Sequence, residues 1–336
     1  MNYNIPLQIS QNEKYLDIIK VRSSELISFF TPTYNRGRFL PRIEECLKKQ
    51  TSQNFVWIVV NDGSSDNTDE VMTEIMRREE LPIKFISKEN GGKHSAFKAA
   101  LDNCETDYFQ CMDDDDLFFP DATAFFLKKW KEIKSSPQSD IIGAIRTLSR
   151  KPDGSYSANY IIDDSILGTE EDLTTLESYY LLKRRQENWT CYDTQKLKSV
   201  DLFSLDYWMS DKHKFFSEEI WQARFARKYL CRYIYQAFTE YRDDDENRLM
   251  SQVKSPQFFI DSFINAKLTL DEQYDYISRD FLFLIKRCLV FNWFRSHIGI
   301  NLFEVIKRTS NLRLRLLYLL VYPTSFLEKW YVKHYC

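Results

Sequence analysis

Short apolar runs alternate with longer segments of helical periodicity from residue 26 onward. The apolar runs, rich in β-branched and aromatic residues, predict strands, and the segments between them place apolar residues at helical spacing. The predicted strands are 26–30, 55–60, 83–86 and 108–112, and the predicted helices are 39–49, 68–78, 95–102 and 121–133. Because strand and helix alternate, we expect an α/β fold with a mostly parallel sheet covered by helices on both faces.

Beyond residue 133 the pattern is less regular. Residues 1–24 are polar, with a short helix at 15–19 and no assigned role. We predict an N-terminal extension (1–24), an α/β domain (25–245, with halves 25–120 and 121–245) and a helical C-terminal region (246–336). The further elements that we predict are strands at 141–148 and 233–241, a turn at 151–155, an extended segment at 189–192, helices at 173–185 and 218–229, and nearly continuous helix from 271.

Composition narrows the class of protein. The 336 residues are 43% hydrophobic and 15% aromatic, which supports a substantial core. A net charge of −3 gives no reason to expect nucleic acid as a partner. The seven cysteines are scattered without Cys-x-x-Cys spacing, so we expect free thiols. Since the N-terminus lacks a signal-like core and no apolar run is long enough to span a membrane, we expect a cytoplasmic protein.

Four adjacent aspartates, the aspartate tetrad Asp113–Asp116, follow the predicted strand 108–112. Their carboxylates repel one another, and a buried charge is costly unless it is paired or bound to a metal. Ligands of open α/β sheets bind at the carboxyl ends of the strands, and carboxylate oxygens suit a hard divalent cation. The tetrad therefore indicates a metal site. The alternative is a solvated acidic turn that leads into the next helix.

The three preceding strands also end in loops with chemical character. The second loop contains Asp62 on a tight turn, and the third contains Asn90, two glycines and Lys93, which offer backbone N–H groups and an ammonium suited to phosphate. Taken singly, these loops have simpler explanations as an ordinary turn and a helix-start bend, with solvated cations and a packed tyrosine. Together with the tetrad they describe a pocket for a nucleotide diphosphate. The first loop offers hydroxyls, an aromatic face and a cation: Thr31, Pro32, Thr33, Tyr34, Asn35 and Arg36.

The four motifs, in this order, make the chain similar to family 2 glycosyltransferases of the GT-A fold, over roughly residues 25 to 240. The similarity implies that Thr33 and Tyr34 line the base pocket, that Asp62 accepts the base N–H, and that Lys93 lies near the base or diphosphate. We include Thr31, Pro32, Arg36, Asn90, Asp113 and Asp114 among the nucleotide-binding candidates. The motifs are Phe-Thr-Pro-Thr-Tyr-Asn-Arg (30–36), Val-Asn-Asp-Gly-Ser-Ser-Asp-Asn-Thr (60–68), Glu-Asn-Gly-Gly-Lys-His-Ser-Ala (89–96) and Met-Asp-Asp-Asp-Asp (112–116).

The resemblance also implies a metal and a base. Asp113, Asp114 and Asp115 correspond to the Asp-x-Asp motif, with Asp115 and Asp113 as ligands of Mn²⁺ or Mg²⁺ and Asp115 as the direct catalytic ligand. This family usually has a small residue where Asp114 stands. The resemblance implies a base in the second half, and Glu218, three residues before Trp221, matches it, with Glu219 as the fallback. The alternative for this pair is two acids favoured by the dipole of a helix start.

The C-terminal stretch 281–336 differs in character from the rest. It has nine Lys or Arg against two Glu, interleaved with aromatic and aliphatic residues, and 311–320 is its most amphipathic part. Such helices lie on anionic membrane surfaces, so we expect peripheral contact with the inner face of the plasma membrane. The alternative is a helical layer with an exposed basic face.

We therefore expect a metal-dependent glycosyltransferase that moves a sugar from a nucleotide donor, UDP-linked, to a hydroxyl acceptor. A single base fits inversion of configuration. The resemblance implies a glycan or lipid-linked acceptor and bacterial cell-surface polysaccharide or glycolipid synthesis. One alternative is a sugar-nucleotide pyrophosphorylase, although the first strand lacks the Gly-rich loop expected there. The other is a non-catalytic protein that binds a sugar nucleotide or glycan on the same scaffold.

Overall fold

Two units make up the fold. The computed structural model describes residues 7–22, 24–158, 160–184, 188–204, 213, 215–240 and 255–323. An α/β unit contains residues 2–203 and 224–245, and a helical unit contains 204–223 and 246–336. The predicted boundary between 245 and 246 lies outside the described residues.

The α/β unit is built on one mixed sheet, and the predicted alternation of its first half is confirmed. The elements up to residue 134 are β1 (Gln8–Gln11), α1 (Glu13–Lys20), β2 (Ile27–Thr33), a 3-10 turn (Gly37–Phe39), α2 (Leu40–Lys48), β3 (Phe55–Asn61), α3 (Thr68–Arg77), β4 (Ile83–Ser87), α4 (Lys93–Asp102), β5 (Tyr108–Cys111), β6 (Leu117–Phe118) and α5 (Ala122–Lys134). The later elements of the sheet are β7 (Ile142–Arg150), β8 (Glu170–Leu173), β9 (Asn188–Asp193), α6 (Thr194–Lys198) and β10 (Leu230–Glu240).

The sheet has the order β1-β4-β3-β2-β5-β9-β7-β10-β6, with β8 also paired to β10. The pairings among β4, β3, β2 and β5 are parallel, as is that of β7 with β10. The other pairings are antiparallel, and β9 runs opposite to both of its neighbours, β5 and β7. The α/β class is thus confirmed, but the sheet is mixed. The sequence pattern did not reveal this, because β1, β6 and β8 have only two to four residues each and were not predicted as strands.

Helices cover both faces of the sheet. Successive residues of a strand point to opposite faces, and on one face Phe30 meets Phe97 of α4, with ring centroids 5.8 Å apart. On the other face Phe29 packs against Phe118 at 4.7 Å, and Trp130 of α5 stacks on Tyr108 at 4.7 Å. The core therefore forms two layers that hold the strands, and the loops at their ends, in place.

Residues 8–20 of the predicted N-terminal extension belong to the α/β unit. β1 pairs with the edge strand β4, and Tyr15 of the confirmed helix α1 is only 1% exposed. Asn12 caps α1 by accepting from the Tyr15 N–H at 3.0 Å, and its own amide donates to the Leu81 carbonyl at 2.7 Å. These contacts give the segment a structural role that its polar sequence did not indicate.

The predicted helix 173–185 is confirmed in part, because residues 175–181 are helical. β8 occupies 170–173, and a single π turn covers Glu177–Leu181. Leu173 ends β8 instead, and Glu171 and Asp172 of that strand pair with Arg184 and Arg232.

The helical unit contains the helices α7 (Glu218–Ala226), of which residues 218–223 belong to it, α8 (Pro256–Glu272), α9 (Tyr274–Ile277), α10 (Phe281–His297), α11 (Leu302–Lys307) and α12 (Leu312–Val321). Phe291 of α10 joins α8 to α12, since its ring centroid lies 5.2 Å from that of Phe263 and 4.7 Å from that of Tyr318. The predicted helical C-terminal region is confirmed over its described residues, 255–323. Of the described helices, none has the length and apolar character needed to cross a membrane.

Candidate active site

The four predicted loops meet at one edge of the α/β unit. Strands β2, β3, β4 and β5 are parallel neighbours, so their carboxyl ends lie together. Backbone bonds continue the pairing into the loops: Asp62 N donates to Thr33 O at 2.9 Å, and Lys88 N donates to Asn61 O at 3.1 Å. Residues that are far apart in the sequence are thereby brought to a single site.

Three members of the aspartate tetrad form a candidate metal centre. Asp113, Asp115 and Asp116 each offer a carboxylate oxygen, and these oxygens all lie within 4.8 Å of one another. It is the one such group of acidic, histidine or cysteine side chains among the described residues. Lys93 Nζ lies 2.9 Å from Asp113 Oδ2. Oxygen donors in this arrangement fit a hard divalent cation such as Mn²⁺ or Mg²⁺. The sequence had indicated Asp113 and Asp115 and had not included Asp116.

Asp114 has a different environment from the other three. Its side chain is buried, and Arg36 Nε lies 2.7 Å from its Oδ1, while Arg36 Nη2 lies 3.0 Å from Asp115 Oδ2. Burial raises the pKa of Asp114 to about 7, with Asp115 and Asp113 adding to the rise and Arg36 opposing it. Burial, followed by the charge of Asp113, also raises the pKa of Asp115. Arg36, predicted as a nucleotide-binding residue, thus joins the first loop to the tetrad.

Arg42 is a further contact to the tetrad that the sequence did not reveal. Its Nη2 donates to the Asp115 carbonyl oxygen at 2.9 Å, so it binds the backbone of the loop rather than a carboxylate. Both Arg36 and Arg42 lie over the ring of Phe39, with their guanidinium carbons 4.5 and 5.3 Å from the ring centroid. This aromatic ring therefore supports two cations that hold the tetrad.

Asp62 is buried in a dense set of donors. Its carboxylate accepts from the N–H of Gly91 at 3.0 Å and of Gly92 at 2.7 Å, and it pairs with the buried Lys88 ammonium. The predicted availability of these glycine N–H groups for phosphate is therefore wrong, because the buried carboxylate needs them as donors. The role of Asp62 as acceptor of a base N–H stays a prediction.

The Asp62 loop and the third loop approach closely. Gly63 has φ +77°, and a Cβ there would lie 2.7 Å from Asn90 N, so only glycine fits. The predicted residue Asn90 donates its side-chain amide to the Asp62 carbonyl at 2.9 Å. Lys93 begins α4, directly after Gly92. The loop thus carries Lys93 to the tetrad while its amide groups stabilise the turn.

The first loop separates supporting residues from accessible ones. Thr31 is fully buried, and its hydroxyl accepts from Trp57 Nε1 at 3.0 Å. Thr33 is 2% exposed, Pro32 is half-buried, and Tyr34 is 46% exposed. Of these four predicted residues, Tyr34 is the one whose ring is open to a planar ligand.

Comparison with known proteins identifies the family of the region that contains the four loops. The model of the family "Glycosyl transferase family 2" matches residues 28–193, a range that contains all four loops. Residues 28–193 belong to glycosyltransferase family 2. The predicted resemblance is confirmed.

Bacterial proteins are similar in sequence to part of this chain. Chondroitin synthase of Pasteurella multocida strain Pm70 is 32% identical over 136 residues, which is 40% of this chain and 13% of that protein. The teichoic acid poly(glycerol phosphate) polymerase of Staphylococcus epidermidis is 37% identical over 98 residues, 29% of this chain and 14% of that protein. The chain thus spans only about an eighth to a seventh of the length of these curated relatives, 13% and 14%.

Solved structures share the fold. The crystal structure of S. aureus TarS 1-349 in complex with UDP-GlcNAc has a TM-score of 0.53 and 16% identity, covering 88% of this chain and 79% of that chain. Another TarS crystal structure has a TM-score of 0.55 and 17% identity, covering 87% of this chain and 50% of that one. These similarities agree with the GT-A architecture expected for the family 2 domain.

The predicted base lies in the helical unit. Glu218 begins α7, and the N–H of the preceding Ser217 donates to Asn265 Oδ1 at 3.2 Å. The fallback Glu219 accepts from Arg287 Nη2 at 3.1 Å, so its carboxylate is engaged in an ion pair. The assignment of Glu218 as the base, with Glu219 as the fallback, stays a prediction.

Lys88, like Asp116 and Arg42, contributes to the family 2 site without having been predicted from the sequence. Its side chain is buried, and besides Asp62 it donates to Ser95 Oγ at 2.9 Å. A signal was available, because Lys88 directly follows strand β4 in the way that the other site residues follow their strands. Lysine is by default a solvated residue, which hid its role.

Proposed function

We propose that this chain is a metal-dependent glycosyltransferase that moves a sugar from a UDP-linked donor to the hydroxyl group of a glycan or lipid-linked acceptor, with inversion. The observation that carries the proposal is the group of three carboxylate oxygens within 4.8 Å of one another, beside Lys93 at the carboxyl edge of a family 2 domain. The names of the bacterial relatives support a role in cell-surface polysaccharide or glycolipid synthesis. TarS in complex with UDP-GlcNAc supports a UDP-linked donor.

Asp113, Asp115 and Asp116 would hold the cation, because their oxygens match the preference of Mn²⁺ and Mg²⁺ for hard ligands. When bound, the cation supplies positive charge that stabilises a departing diphosphate. The side chain of Arg36 orients Asp115 through its 3.0 Å contact, and Arg42 fixes the backbone at the same residue. These two arginines keep the carboxylates in place before a ligand arrives.

The other residues act on the donor and the acceptor. The exposed ring of Tyr34 offers a face on which a base stacks. The Lys93 ammonium adds a second positive charge for the diphosphate. Glu218 removes the proton from the acceptor hydroxyl as that oxygen attacks the anomeric carbon. A single displacement with one base inverts the configuration at that carbon.

The first experiment is a screen of nucleotide sugars for transfer or hydrolysis, with and without Mn²⁺. We expect turnover of a UDP-sugar that requires the metal and falls at least about a hundredfold in Asp115→Asn. Turnover that persists unchanged without divalent cations would contradict the metal assignment. Absence of turnover with every donor, combined with tight UDP binding, would indicate a binding protein.

The second experiment tests the base with a matched pair of variants. Glu218→Gln should lower kcat by about 10²- to 10⁴-fold while the affinity for UDP is unchanged, because only the proton acceptor is lost. Glu219→Gln, which removes the neighbouring carboxylate of the same helix turn, should keep most of the activity. An active Glu218→Gln variant would exclude Glu218 as the base.

A further inference from the structure

The outward face of α12 is apolar. Leu312, Leu316, Leu319 and Leu320 are 66%, 55%, 46% and 72% exposed. Their spacing of four, seven and eight residues places them on one side of the helix, and we call this set the leucine stripe. Four exposed leucines in one row are a concentrated apolar surface, in contrast to single exposed residues, which are ordinary.

The opposite face fixes the orientation of α12. Leu314, Leu317, Tyr318 and Val321 are at most 9% exposed. The ring of Tyr318 packs 4.7 Å from that of Phe291 of α10, and the side-chain amide of Asn292, also on α10, donates to the Val321 carbonyl at 3.1 Å. The leucine stripe therefore points away from the core of its unit.

Arginines flank the stripe on both sides. At 100° per residue, Arg313 lies beyond one border of the stripe and Arg315 beyond the other. Arg313 is exposed, and the Arg315 Nε–H donates to the Thr309 carbonyl at 2.5 Å, which leaves the rest of its guanidinium for other acceptors. Basic residues are in excess throughout residues 281–323, which contain a single acidic residue, Glu304. The seven Lys or Arg residues there are Lys286, Arg287, Arg295, Lys307, Arg308, Arg313 and Arg315.

We propose that the leucine stripe lies in the plane of an anionic lipid bilayer. The leucines enter the boundary between headgroups and acyl chains, and Arg313 and Arg315 bind lipid phosphates on either side. Charge complementarity favours this occupant. Two copies of this chain joined through the stripe would bring arginines of like charge together, whereas an anionic surface neutralises them. The inference is independent of sugar transfer.

The test uses the full chain and sedimentation with phosphatidylcholine vesicles, with and without phosphatidylglycerol. The wild-type protein should bind the vesicles that contain phosphatidylglycerol, and raised salt should weaken the binding. Leu316→Gln/Leu320→Gln should lower the affinity at least about tenfold, because two apolar anchors are lost. Arg313→Gln should lower it about fivefold.

A control variant removes two exposed apolar side chains elsewhere. Val21 and Ile161 are 77% and 81% exposed in the α/β unit, and Val21→Gln/Ile161→Gln should leave vesicle binding unchanged. The proposal would be overturned if Leu316→Gln/Leu320→Gln bound the vesicles as tightly as Val21→Gln/Ile161→Gln. It would also be overturned if phosphatidylglycerol did not increase vesicle binding by the wild-type protein.

Two further measurements exclude other occupants of the stripe. If Leu316→Gln/Leu320→Gln lowers the melting temperature, the chain itself covers the stripe. If the same variant converts a dimer to a monomer in light scattering, the stripe joins two copies. Either result overturns the lipid assignment. Because none of these readouts depends on turnover, they stand or fall separately from the glycosyltransferase assays.

Discussion

Asp62 and the aspartate tetrad lie at the carboxyl edge of the same parallel strands, yet their surroundings are opposite. The Asp62 carboxylate receives two backbone N–H groups and the buried ammonium of Lys88. The tetrad gathers four carboxylates around the side chains of Arg36 and Lys93, and the pKa values of Asp114 and Asp115 are raised. The charge of Asp62 is thus neutralised within the protein, whereas the aspartate tetrad would be stabilised by a further cation.

This difference indicates that Asp62 stabilises the structure of the site, whereas the aspartate tetrad is suited to bind a ligand. A carboxylate with strong internal donors stabilises the loops around it, and its removal harms the fold. Carboxylates that repel one another weaken the fold, and their removal harms binding. Substitutions around Asp62 should therefore lower the stability of the fold, whereas substitutions in the aspartate tetrad should lower the affinity for metal.

The largest expected effect follows from Lys88→Met, which leaves the Asp62 charge buried without its cation. We expect the free energy of unfolding to fall by about 3–5 kcal/mol in urea titrations. The matched control is Lys93→Met, whose side chain is 27% exposed and pairs with the 40% exposed Asp113. That change should cost about 1 kcal/mol or less. Equal losses in the two variants would remove the distinction between the two acidic sites.

A smaller effect is expected from metal addition. Mn²⁺ at about 100 times its dissociation constant should raise the free energy of unfolding of the wild-type protein by about 2.7 kcal/mol, which thermal melts report as a higher Tm. Asp113→Asn/Asp115→Asn should abolish this rise, and without metal the variant should be at least as stable as the wild type because repulsion is relieved. Asp164→Asn, at an exposed loop aspartate, should keep the full response. A Tm rise that survives the double substitution would place the cation elsewhere.

The smallest expected effect is a pH dependence. The folded state raises the pKa of Asp114 from 3.8 to about 7, so the proton is bound more tightly when the protein is folded. The protonated Asp114 carboxyl therefore stabilises the folded state fully at a pH below its unfolded pKa of 3.8. This stabilisation is lost as the pH rises through the folded pKa of about 7. Between about pH 5 and pH 8, the metal-free protein should lose about 1–3 kcal/mol from this group.

The pH dependence is read from melts of the wild type and of Asp114→Asn. The asparagine variant carries no titrating group at this position, so its stability should change less over the same interval. An identical slope in both proteins would show that the Asp114 carboxyl does not titrate in this range.

Much of the first half could be predicted from the sequence because its signals are local. Strands β2 to β5 match the apolar runs to within three residues, and their carboxyl ends carry the four predicted loops. The alternation of strand and helix implies parallel neighbours, and parallel neighbours bring these loops together. That is why a pocket was predictable without knowledge of any distance.

The internal chemistry of the pocket was less predictable because it depends on contacts across the sheet edge. Asp62 obtains its partners Lys88, Gly91 and Gly92 from a loop 26 to 30 residues further along the chain. No local pattern identifies which of several carboxylates will receive them. The same holds for Asn12, which joins a polar segment to Leu81 and to Ile83 of β4 through bonds over 69 and 71 residues. Tertiary contacts alone decide these roles.

The position of β9 has a consequence for synthesis of the chain. β5 ends at Cys111, and β9, which covers its open edge, begins at Asn188. At ribosomal rates of about 5–20 residues per second, β9 begins to be synthesised roughly 4–15 seconds after β5, and the edge of β5 is unpaired during that time. An uncovered strand edge pairs readily with other chains. The nascent polypeptide is therefore most prone to misassociation in this interval, and slowed translation of residues 112–188 should raise its dependence on chaperones.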